Sequence, residues 1–184
     1  MHVIPTSFSG VFVLKPRRFE DVRGFFSESY NKKRLAEAGI AIDFVQDNLS
    51  LSEPVRTLRG LHFQREPFAQ AKLVSVIQGA ALDVVVDLRR SSPRFGQHLA
   101  IELSASEGSQ LFIPVGFAHG FLTLEPNTLF VYKVSNYYSL EHYGGIRFDD
   151  AQIGIDWRCP PDSIVTSDKD RNLPPFDPST DYFA

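Results

Sequence analysis

The sequence predicts an all-β fold, a sandwich or barrel of many short strands with a few short helices. Three observations carry that prediction. From Phe44 onward the apolar residues recur with period two rather than 3.6. Short β-rich runs follow one another at near-regular spacing. Turn signals separate them: Ser92-Pro93, Glu107-Gly108, Pro114-Val115-Gly116 and Pro126-Asn127. With 184 residues, 43% of them hydrophobic, the chain suffices for one domain with a real core, expected to span residues 1–184.

In chain order, residues 11–14 read as a strand closed by Pro16, and Asp21-Val22-Arg23-Gly24 as a turn leading into a strand over 25–29. Asn31 is placed to cap a helix over 32–38, with Gly39 as its stop. In residues 45–51 one face carries Gln46, Asn48 and Ser50, the other Val45, Leu49 and Leu51. Strands over 73–76 and 81–86 join at Gln78-Gly79, and 99–103, 110–113, 121–124 and 128–134 continue the pattern. The Pro- and Asp-rich segment 160–184 is expected to wrap the surface as a loop.

Composition removes some function classes. A net charge of −3 gives no basic field to recruit nucleic acid. Cys159 has no cysteine to pair with, which fits a reducing compartment. Met1-His2-Val3-Ile4-Pro5-Thr6 shows no positive region and no apolar run, and nowhere is an apolar stretch long enough to span a bilayer. The expectation is a cytoplasmic protein with neither membrane nor nucleic-acid partner.

Histidines in a β-barrel invite a metal reading. The spacing from Gly108 to Pro114-Val115-Gly116-Phe117-Ala118-His119 resembles the second motif of the cupin family. That family's first motif has a His-x-His pair, whereas His62 here is followed by Phe63 and Gln64. No His-x-His or His-x-x-x-His occurs among His2, His62, His98, His119 and His142, so a metal site is not expected.

An acid–base reading fits better. His62 lies in Arg59-Gly60-Leu61-His62-Phe63-Gln64, and Lys72 precedes the apolar run Leu73-Val74-Ser75-Val76-Ile77. A lysine there must find an anion or lose proton affinity. Tyr132 shares a strand face with Phe130 and Val134, and its hydroxyl needs a partner. His, Lys and Tyr supply a base, an electrophile and an acid, the parts needed to move a proton beside a carbonyl. Asp168 or Asp170 could orient the imidazole. Each has a plainer reading: a structural histidine near a turn, a snorkelling lysine, an ordinary barrel tyrosine. Arg23 before Gly24 and Arg59 before Gly60 could present planar forks to phosphate, or simply be solvated turn residues. Phe25, Phe26 and Glu28 offer a stacking face and a polar edge for a base. No phosphate-binding Gly-rich loop is present.

Over nearly its whole length the chain resembles the dTDP-4-dehydrorhamnose 3,5-epimerase family. The resemblance runs through Asp21 to Glu28, Gln46-Asp47-Asn48-Leu49-Ser50, Leu58 to Gln64, Ala69 to Val74, Asp83 to Arg89, Ser91 to Gly96, Ile113 to Phe121, Tyr132-Lys133 and Ser167-Asp168-Lys169-Asp170. It implies a cupin-type jelly roll, a homodimer, and neither metal nor organic cofactor. It also implies an epimerase that inverts C3 and C5 of dTDP-4-keto-6-deoxy-D-glucose through an enolate. A C3-only epimerase or a 3,4-ketoisomerase is the alternative. His62 would be the base, paired with Asp170; Lys72 would hold the enolate oxygen and Tyr132 would deliver the proton. Arg23, Phe26, Glu28, Gln46, Asn48, Arg59, His119 and Lys169 would grip the dTDP-keto-sugar. Three positions depart from the pattern: Phe63 stands where tyrosine is common, Phe148 where tryptophan is usual, and Tyr143 where relatives often carry an acid.

Overall fold

A computed structural model of the chain describes residues 1–183. Two antiparallel sheets face each other. The first has six strands in the order β1 (His2–Pro5), β2 (Phe12–Lys15), β10 (Gln110–Ile113), β7 (Lys72–Gln78), β12 (Thr128–Val134) and β5 (Gln46–Ser52). The second has five: β13 (Tyr143–Gly145), β6 (Leu58–Gln64), β11 (Phe117–Thr123), β8 (Ala80–Asp87) and β9 (His98–Ser104). β3 (Arg18–Asp21) and β4 (Gly24–Ser27) form a separate hairpin. This is a jelly-roll sandwich, the all-β class the period-two pattern predicts. The hairpin's tip falls at Val22 and Arg23, inside the expected turn.

Burial follows strand parity. Val74, Val76, Phe130, Ala81, Val85, Phe117 and Phe121 meet between the sheets. Leu82, Val84, Val86, Ala118 and Leu122 point the other way, into a second apolar cluster. β8 is therefore buried on both faces, which explains its unbroken apolar run. On the outer side of the six-stranded sheet, α1 (Lys32–Glu37) lays Leu35 against Leu14, Leu73 and Phe112. The Asn31 side chain accepts a hydrogen bond from the Arg34 N–H at 3.1 Å, as a cap should. The helix ends one residue earlier than expected, and Ala38 becomes its C-cap.

Two expectations are corrected. The segment after Pro160 is largely irregular and exposed, as a wrapping loop would be, but it is neither loop throughout nor wholly on the surface. It contains a 3₁₀ turn at Pro161–Ser163 and the short helix α2 (Asp168–Arg171). Ile164, Phe176, Tyr182 and Phe183 are buried against the outer face of the five-stranded sheet, beside Phe63 and Trp157. Large aromatic side chains scattered among prolines carry no periodicity, yet burying each contributes roughly 1.5–3 kcal/mol, and the sheet face beneath needs a cover. The second correction concerns His62. It sits inside β6, not near a turn, because an irregularity at Gly60 breaks the alternation that marks a strand.

Candidate active site

The irregularity in β6 shapes the site. His62 pairs with His119 of β11, and Arg59 with Phe121. β6 thus advances three residues while β11 advances two. Strict alternation would send Arg59 and His62 to opposite faces; the extra residue puts both in the same cavity. Gly60 makes this possible. Its φ is +132°, and a Cβ there would stand 2.5 Å from Gly120 Cα.

The cavity, about 270 Å³, opens between the sheets and is walled by His62, Lys72, Tyr132 and Asp170. Arg59, His119 and Ser50 border it, and Phe121 and Phe130 line it with rings stacked 4.0 Å apart. A larger cavity of about 400 Å³ lies under the β3–β4 hairpin, lined by Arg18, Phe25 and Ile77. It borders Tyr132 from outside but contains neither His62 nor Lys72, so the acid–base candidates gather in the smaller cavity.

Of the two acids that could orient the imidazole, Asp170 does so: its Oδ1 lies 2.8 Å from His62 Nε2, while Asp168 is exposed. The other Asp170 oxygen accepts from the Gly60 N–H at 3.0 Å, and the Asp170 N–H donates to Ser167 Oγ. Burial pushes the Asp170 carboxyl up, but the His62 bond and charge, the Gly60 N–H and the Lys169 charge together hold it below the usual aspartate range. An ionised Asp170 fixes the proton on Nε2, leaving Nδ1 of His62 with its lone pair. The His62 side chain is 32% exposed, so a ligand can reach that atom.

Lys72 opens β7 on the same inward face as Val74 and Val76. The side chain keeps some surface open to the cavity, but protein encloses its ammonium closely. That burial lowers its pKa to about 8, and Asp83 pulls in the opposite direction. Tyr132 is likewise pushed up by burial, with Arg59 opposing, so its hydroxyl keeps its proton. His119 donates from Nε2 to Asp83 Oδ2 at 2.8 Å. Burial drives its pKa down against the pull of Asp83, so the imidazole is neutral. Asp83 is fully buried, and its other oxygen has no hydrogen-bond partner. Sequence reasoning missed it, although an acid inside the apolar run 81–86 was the available signal.

The remaining candidates are spread out. Asn48 lies opposite Tyr132 and accepts from the Gln46 amide at 2.9 Å. Lys169 Nζ stands 3.7 Å from the centroid of the Tyr143 ring. Arg23, Phe26 and Glu28 do not line the His62 cavity. Arg23 pairs with Asp21, Glu28 with Arg34, and Phe26 is 70% exposed. Among the described residues, no group of three or more His, Cys, Asp or Glu side chains is placed to hold a metal ion.

Fold and chemistry together set the chain among isomerases built on a jelly-roll barrel. More particularly, it belongs to the dTDP-4-dehydrorhamnose 3,5-epimerase family, whose model matches residues 5–178. The Shigella flexneri dTDP-4-dehydrorhamnose 3,5-epimerase is 47% identical over 184 residues, covering 100% of this chain and 99% of its own. The crystal structure of the Bacillus anthracis enzyme, with TDP and PPi bound, is 51% identical with a TM-score of 0.92, covering 95% of this chain and 99% of that one. The Legionella pneumophila dTDP-6-deoxy-D-glucose-3,5-epimerase, solved in complex with dTDP-4-keto-L-rhamnose, is 39% identical with a TM-score of 0.88, covering 96% and 98%.

Proposed function

We propose that this chain inverts C3 and C5 of dTDP-4-keto-6-deoxy-D-glucose, giving dTDP-4-keto-L-rhamnose for dTDP-L-rhamnose synthesis, with His62 as base. The observation that carries the residue roles is one cavity holding the His62–Asp170 pair, Lys72 and Tyr132. The C4 ketone acidifies the hydrogens on both flanking carbons. His62 Nδ1 takes the proton from one of them, and the C–H electron pair moves into an enolate whose charge rests on the C4 oxygen. The Lys72 ammonium offsets that charge in a site shielded from water. The Tyr132 hydroxyl gives a proton to the opposite face, the carbonyl re-forms, and the centre is inverted. Imidazolium and phenolate then exchange protons with solvent before the cycle repeats at the second carbon.

Arg59 and His119 border the cavity and hold the nucleotide-sugar there; Gln46 and Asn48 on β5 and Lys169 on α2 lie outside its lining and meet parts of the ligand that extend beyond it. Arg23, Phe26 and Glu28 reach a site through a second copy of the chain, as a homodimer in the cytoplasm. Two exposures support that arrangement. The edge strand β5 turns Leu49 and Leu51 outward, with Val45 exposed just before it, and the hairpin presents Phe19, Phe25 and Phe26 to solvent.

Incubation with the keto-sugar in heavy water, read by NMR, tests the function. Deuterium at two inverted carbons is expected. Inversion at C3 alone would select the mono-epimerase alternative, and binding of dTDP without exchange would overturn catalysis.

A further inference from the structure

Tyr143 takes no part in the proton transfers above, yet it lies against the groups that do. It stands directly opposite Gln64 of β6, two residues from His62 on the same face. Its ring centroid is 5.4 Å from that of His62, tilted by 52°. The same ring receives Lys169, whose Nζ is 3.7 Å from its centroid. Lys169 immediately precedes Asp170 in α2, and Asp170 is the carboxylate bonded to His62. An ammonium one residue from a carboxylate would ordinarily compete for it. Here it rests on an aromatic face and makes no direct ion pair with Asp170, although its charge still reaches that carboxylate.

We infer that Tyr143 is a positioning residue: its ring seats the Lys169 ammonium off Asp170 and thereby keeps Asp170 committed to His62. The inference rests on the reading of His62 as base. The ring carries the role, not the hydroxyl. The phenol oxygen is enclosed and has no hydrogen-bond partner. Burial, with the negative charge of Asp170 and the nearby Tyr138, pushes its pKa further up, so it offers no competing acid. The other titratable or charged groups around His62 are Lys72 on β7, His119 on β11, Tyr132 on β12 and Arg59 on β6 itself. These belong to the paired sheets, whereas Lys169 is an exposed side chain on a four-residue helix, free to swing once its seat is gone.

Four variants test this: Tyr143→Phe, Tyr143→Leu, Lys169→Gln, and the double Tyr143→Leu/Lys169→Gln. Tyr143→Phe keeps the seat and should hold kcat within about threefold. Tyr143→Leu should lower kcat about tenfold with KM little changed, the scale of one lost cation–π contact. The acid limb of its pH–rate profile should also move to lower pH, because an ammonium beside Asp170 cancels charge that favours the protonated base. In the double variant, kcat and the acid limb should return to those of Lys169→Gln, a recovery that a merely structural role would not give. Equal losses in Tyr143→Phe and Tyr143→Leu, or no recovery in the double variant, would overturn the inference. If Tyr143→Leu does not fold, Tyr143→Trp decides: a seat is retained and kcat with it, whereas dependence on the hydroxyl gives a loss. His62→Ala is measured alongside. Exchange surviving in that variant would mean the base assignment has failed; a dead His62→Ala with no recovery in the double variant would sink only the role of Tyr143.

Discussion

Lys72 is the residue whose charge the proposed chemistry most depends on. The difference between the ordinary lysine value of 10.5 and about 8 amounts to roughly 3 kcal/mol of disfavoured charge. Near neutral pH the ammonium is still protonated and can face an enolate oxygen. As pH rises through about 8 it loses its proton, so kcat should fall along an alkaline limb centred there. Tyr132 cannot cause that limb, since burial moves its titration above the ordinary tyrosine value. Lys72→Met should lower kcat by about 10²–10³, the effect of removing one oxyanion donor, and it should erase the limb. Deuterium exchange should fall in step with inversion, because both pass through the enolate. The assay is the pH–rate profile of native and variant protein, with circular dichroism to confirm folding. A limb near 8 persisting in Lys72→Met, or a loss under tenfold, would refute the assignment.

Other substitutions probe the remaining parts. Tyr132→Phe should impair inversion more than solvent exchange, since His62 still removes the proton; equal losses by NMR would deny Tyr132 a dedicated role as acid. Asp170→Asn should lower kcat by about 10²–10⁴ through a misdirected imidazole, and near-native turnover would show that the pair does not matter. Asp170 also makes a signed stability prediction. Its folded-state pKa lies below the ordinary value of 3.8, so its contribution is fully present above 3.8 and is lost as pH falls from there through the lower folded-state value. Urea midpoints should show a steeper acid-side fall for native protein than for Asp170→Asn. Gly60→Ala should destabilise by more than about 3 kcal/mol, because its new methyl meets the Gly120 backbone; an unchanged urea midpoint would mean that β6 can reshape there.

What the sequence determined by itself was local. Period-two alternation marks β5 and unbroken β-rich runs mark β7 and β8, because each strand's side-chain direction is set by its own backbone. The residue types were readable too, but a histidine, a lysine and a tyrosine in apolar company marked only a possible acid–base pocket, each with a plainer structural reading. Other features needed the fold. Alternation in β5 separates Gln46, Asn48 and Ser50 from Leu49 and Leu51 but cannot say which row faces in. Pairing with β12 decides it, setting Ser50 opposite Phe130 and Asn48 opposite Tyr132 and leaving Leu49 66% exposed. The partner of His62 lies 108 residues away, on a helix too short to leave a periodic trace. Asp83 needed β11 beside β8 before its carboxylate had an imidazole to hold. The convergence of Arg59 and His62 rests on one extra residue in β6, tolerated because two glycines let the backbones of β6 and β11 touch. Pairings between distant strands are settled by the joint packing of both sheets, and no window of neighbouring residues contains that information.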